Sequence, residues 1–177
     1  MSLRFFAVCT VLIALGCASR LPDSAELRTV SQVDLGRYTG TWYEVATIPS
    51  WFQRNCVGTT ATYSLREDGL LRVENACRDK TIDGRMRSIV GRAWVTDKTT
   101  NAKLDVQFFW PFTGAYWIIA LDPDYRYAMV GHPSRDYLWI LSRTPEMSEA
   151  TYHELLATAA REGYDVSRLR RTLQPGS

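Results

Sequence analysis

The chain has 177 residues, 46% of them hydrophobic and 23% charged, which is enough for one domain with a substantial core. With 12% aromatics it is neither a disordered tail nor a low-complexity polymer. Twenty-one Lys and Arg against 19 Asp and Glu leave +2, too near balance for a nucleic-acid partner, whose phosphates demand a cationic patch.

Arg4 is the only charge before Arg20, and an apolar run of twelve, Phe5 to Gly16, follows it. A helix across a bilayer needs about 20 such residues, so this run reads as the core of a secretion signal. Ala14-Leu15-Gly16-Cys17 ends it with small residues and a cysteine. The segment resembles the bacterial lipobox, departing from it in having Ala14 where Leu is usual. The resemblance implies cleavage before Cys17 and acylation of that residue. With Ala18 rather than Asp behind it, it also implies sorting to the outer membrane of a Gram-negative bacterium. A plain secretory signal is the alternative. On this reading residues 1–16 are the signal peptide, 17–33 a lipidated polar tether and 34–177 the folded domain.

From Thr41 onward, runs rich in Val, Ile, Thr, Tyr, Phe and Trp recur between turn signals such as Glu67-Asp68-Gly69, Asp83-Gly84 and Asp122-Pro123-Asp124. They predict strands over 41–48, 57–65, 70–77, 87–96, 102–109, 115–121, 126–131 and 137–143. After Thr144-Pro145, Tyr152, Leu155, Leu156 and Ala159 recur at helical spacing, and Gly163 is placed to end the helix. The fold class is therefore all-β. An eight-stranded up-and-down antiparallel barrel, with one amphipathic C-terminal helix packed outside, removes the exposed sheet edges. A two-sheet sandwich fits the same pattern.

Gly40-Thr41-Trp42-Tyr43-Glu44 at the first strand resembles the Gly-x-Trp motif of the lipocalin family. Asp122-Pro123-Asp124-Tyr125-Arg126-Tyr127 is similar to that family's second signature, and Arg143, closing the eighth strand, to its third. With the lipobox in front, the chain resembles the bacterial lipocalin lipoproteins in particular. This implies a barrel that binds fatty acids or lysophospholipids. In a closed barrel the first and last strands are neighbours, so Trp42, in the motif that Gly40 opens, should lie beside Arg143. A guanidinium over the indole would then plug one end and contribute roughly 0.5–2 kcal/mol.

Alternation from Trp42 and Arg143, with parity chosen to favour apolar residues, faces Ala46, Val73, Asn75, Ala93, Val106, Phe108, Tyr116, Ile118 and Trp139 inward as candidate ligand-binding residues. Glu44 and Ala120 also face in, Glu44 as a structural carboxylate near the closed end that could partner Arg143. A filled interior is the alternative to a cavity. The open end carries Trp51, Phe52, Trp110 and Phe112 in its loops. They are placed for ligand gating, membrane contact or self-association, or to fold back as a lid.

Cys56 and Cys77 flank the second and third strands, and pairing across the Glu67–Gly69 turn brings them within disulfide reach. A reactive thiol is the alternative. His132 and His153 lack metal-ligand spacing, and no nucleophile, phosphate-loop or dinucleotide motif is present, so neither a catalytic site nor a cofactor is expected. The sequence thus reads as an outer-membrane lipoprotein binding a fatty acid or lysophospholipid, alone or as a homodimer through its mouth. An enzyme acting on a lipid and a structural lipoprotein with a filled barrel are the other readings.

Overall fold

The computed structural model describes residues 26–176. The signal peptide at 1–16, Cys17 and the first part of the expected tether lie outside the described residues. Eight strands run β1 (Gly40–Thr47), β2 (Cys56–Leu65), β3 (Leu71–Asp79), β4 (Met86–Val95), β5 (Lys103–Phe109), β6 (Phe112–Leu121), β7 (Tyr127–Gly131) and β8 (Leu138–Ser142). Each pairs antiparallel with the next, and β1 pairs with both β2 and β8, so the ring is closed. The closure decides for a barrel over a sandwich.

Before β1 a single helical turn, α1 (Leu35–Tyr38), is capped by Asp34, whose carboxylate accepts from the Arg37 amide. After β8 comes α2 (Glu149–Arg161), with Ser148 as its N-cap. It stops in a Schellman turn: Gly163, at φ +85°, donates to Ala160 O, and Tyr164 donates to Ala159 O. Its buried face, Tyr152, Leu155 and Ala159, packs on Ile119, Met129, Leu138 and Ile140 of the outer barrel wall. A second core, with Trp42, Tyr63, Leu71, Val73, Ala93, Leu104, Ile118 and Val130, fills the lower interior.

Both termini of the domain add to the wall. The described end of the tether is packed rather than loose. Leu27 is buried under α2, the Val30 amide donates to Ile118 O, and Val33 joins the interior core. At the other terminus a two-residue strand, β9 (Arg170–Arg171), pairs with Ala46 and Thr47 of β1. β1 touches β2 only through Gly40–Tyr43, so the two strands part towards the mouth. The C-terminal segment fills the split: Thr172 N donates to Val45 O, Gly58 N to Leu173 O, and Gln174 Nε2 to both Glu44 O and Thr59 O.

Candidate functional site: the barrel interior

The floor is a stack. Trp42, fully buried, donates its indole N–H to Tyr38 O, and the Arg143 guanidinium lies 3.8 Å from the Trp42 ring centroid. Arg143 also donates to Thr41 O, Arg37 O and Tyr125 O, knitting β1, α1 and the β6–β7 turn together. Gly40 takes φ +92°, and a Cβ there would stand 3.2 Å from Arg143 Nη1, so this position favours glycine. In the β6–β7 turn the buried Asp122 carboxylate accepts from the Arg126 side chain and from the Asp124 and Arg126 amides, which hold its pKa down to about 2.

Above the floor the rings of Tyr38, Tyr63 and Tyr116 converge, with Tyr116 Oη 2.8 Å from each of the other two hydroxyls. Val73, Ala93 and Ile118 are buried in this lower layer. Asn75, Val106, Phe108, Tyr116 and Trp139 lie on the inward side of the wall and are half-buried rather than fully enclosed. The Asn75 placement follows from its pairing with Ala61, one inward step above the Tyr63–Val73 pair.

Ala46 does not face inward. A bulge between Glu44 and Ala46 shifts the register, pairing Glu44 with inward Leu141 but Ala46 with Ile140, which lies under α2. Ala46 therefore belongs to the outer core, and Ala120, assigned inward by the same alternation, is turned out by a bulge between Ile118 and Ala120.

Glu44 faces in and is buried, but its partners are not at the floor. It accepts from Gln53 Nε2 at 2.9 Å and from Thr172 Oγ1 at 2.6 Å, joining the β1–β2 loop and the C-terminal segment to β1. Gln53 in turn accepts from Trp139 Nε1. Burial raises the Glu44 pKa, against the lowering effect of the two hydrogen bonds. Sequence alternation exposes neither Gln53 nor Thr172, because both come from irregular segments.

At the mouth, Trp51, Trp110 and Phe112 are 73%, 83% and 76% exposed, joined by Phe109. Phe52 sits in the 3-10 turn Trp51–Gln53. The three described rings therefore stand out from the barrel rather than folding over it. Cys56 and Cys77 form a disulfide across β2 and β3, which leaves neither as a thiol. His132 lies in the β7–β8 turn against Ser134 and His153 lies on α2; among the described residues no acidic, His or Cys cluster is arranged to hold a metal.

The family model for a lipocalin-like domain matches residues 33–174. The outer membrane lipoprotein Blc of Escherichia coli is 45% identical over 171 residues, 97% of this chain and 96% of that one. Temperature-induced lipocalin-1 of Arabidopsis thaliana is 44% identical over 163 residues, 87% and 86% of the two chains. Among solved structures, the cockroach allergen Per a 4 superposes with a TM-score of 0.65 at 22% identity, over 86% of this chain and 96% of its own, which speaks to the fold. Closed barrel, floor stack and sequence relationship agree: the chain belongs to the lipocalin family.

Proposed function

We propose that this protein is an outer-membrane lipoprotein that holds single-chain lipids, fatty acids or lysophospholipids, in its barrel, storing or carrying them beside the membrane. The observation carrying this reading is the set Asn75, Val106, Phe108, Tyr116 and Trp139, which faces the inside of a closed ring and is still only half-buried. A mostly apolar hollow with a few polar groups suits an acyl chain. Burying about 14 methylenes at about 0.8 kcal/mol each offers roughly 11 kcal/mol before ordering costs, so affinity needs no reaction. The relationship to outer membrane lipoproteins over nearly the whole chain supports an anchor at Cys17, held by acyl groups. The Cys56–Cys77 bond favours binding over thiol catalysis on this barrel.

The test is extraction of the purified protein and mass spectrometry of what comes off. A stoichiometric single-chain acyl lipid, displaced by added fatty acid, is the expected result. A protein that carries none and takes up none has a filled barrel, and the reading fails.

A further inference from the structure

Three tyrosines from distant parts of the chain bring their hydroxyls to one point inside the barrel. Tyr38 ends α1 at the floor, Tyr63 stands on β2 and Tyr116 on β6. Burial raises the pKa of all three, that of Tyr63 to about 12, so each keeps its proton at neutral pH. Two contacts, Tyr38 to Tyr116 and Tyr63 to Tyr116, are the hydrogen bonds these oxygens make among the described residues. Three protons for two bonds leave one O–H without an acceptor.

Which proton is left over follows from burial. Tyr38 and Tyr63 are 2% and 5% exposed, and each has Tyr116 as its hydrogen-bond partner. If both donate to Tyr116, which has two lone pairs, every buried proton is matched. The remaining O–H is then that of Tyr116, the half-buried residue of the three. Any other arrangement strands a proton on a fully buried ring.

A complementary group lies nearby. Asn75 Oδ1 is buried without a hydrogen-bond partner. Asn75 lies diagonally across the β2–β3 pair from Tyr63, a relation that separates residues by about 7–8 Å. Tyr63 thus has the spare donor of Tyr116 at its hydroxyl and the spare acceptor one diagonal step away on the neighbouring strand. A hydrocarbon tail matches neither. A carboxylate or a ketone can accept but cannot donate, and the floor's cation, Arg143, is engaged by three carbonyls and Trp42. A hydroxyl does both.

Resting on the lipid-carrier reading, we infer that the hollow selects single-chain lipids bearing a hydroxyl on the buried part of the chain, held between Tyr116 and Asn75. Tyr116 is four residues along β6 from rim residue Phe112, about 13 Å of strand, so a chain of about 10–12 carbons spans rim to hydroxyls.

The experiment titrates the purified protein with dodecanoic acid and with 12-hydroxydodecanoic acid, following tryptophan fluorescence. The hydroxy acid should bind about tenfold more tightly. In Asn75→Ala and in Tyr116→Phe that ratio should fall to near one, whatever either change does to the affinity for dodecanoic acid itself, and an unchanged far-UV circular dichroism spectrum reports that the variants are folded. Equal affinity of the two acids for the unaltered protein overturns the hydroxyl preference and leaves the carrier reading standing. A ratio untouched by both variants overturns the assignment to these two residues. Failure of either acid to bind the unaltered protein takes down both.

Discussion

Arg143 serves two kinds of partner at once, an indole face and three backbone carbonyls from separate elements. Replacing it by Ala removes the cation–π contact and strands those carbonyls, so Arg143→Ala should destabilise by about 3 kcal/mol in urea unfolding. Arg143→Lys should recover less than half, because an ammonium cannot fork to several acceptors in a plane. Two carboxylates set the pH limits. Asp122 is held at about 2 against an ordinary 3.8, so its contribution is complete above the ordinary value and disappears as pH falls towards 2. With the Arg126 side chain largely exposed, about 1–2 kcal/mol is expected from this source, visible as an acid-side fall in melting temperature that Asp122→Asn lacks. Glu44 acts in the opposite sense. Its raised pKa means the neutral acid suits the fold, so stability is full at low pH and declines as pH rises through the folded-state value. Glu44→Gln should therefore melt about as the parent does at pH 4, below the ordinary value of 4.5, and a few degrees higher at pH 8.

At the scale of elements, the helix seat is the simplest case to test. Leu155 is fully enclosed between α2 and the β6–β8 wall, and Leu155→Ala should cost about 2–4 kcal/mol by leaving a cavity. The strands and α2 were legible because their sides face different media: the barrel wall alternates, and the helix repeats at i, i+3 and i+7. The same reasoning misassigned Ala46 and Ala120, because a bulge inserts a residue without changing composition, and every side chain beyond it changes face. The C-terminal segment escaped for a different reason. Arg170 to Gln174 is polar and pairs through only two ladder residues, so no periodic signal marks it as part of the wall. The tyrosine cluster is equally silent, since alternation faces Tyr116 inward but nothing in the sequence ties it to residues 38 and 63 until the closed ring brings their hydroxyls together. By contrast, Cys56 and Cys77 were legible as a pair because one hairpin turn sets their register, and the bond joins Cα atoms 5.4 Å apart.

For the whole molecule, the two ends of the barrel differ in what they offer. The floor is closed by buried, hydrogen-bonded aromatics, whereas the rim carries Trp51, Phe109, Trp110 and Phe112 in water. Largely exposed, Trp110 and Phe112 bury little area on folding, so their replacement should leave the melting temperature nearly unchanged, and any effect belongs to association. Between Cys17 and Glu26, the first described residue, nine peptide steps reach about 30 Å when extended, comparable to the length of the barrel wall. An acyl anchor at Cys17 therefore allows the rim to meet the same membrane, which is where a carrier would exchange its lipid. Trp110→Ser combined with Phe112→Ser should lower binding to phosphatidylethanolamine–phosphatidylglycerol vesicles by about tenfold or more, measured by co-sedimentation with Cys17 changed to Ser so that the anchor does not mask the effect. If vesicle binding is unchanged and the variant instead loses a dimer seen by analytical ultracentrifugation, the rim is an interface between copies, and lipid must enter the hollow by another route.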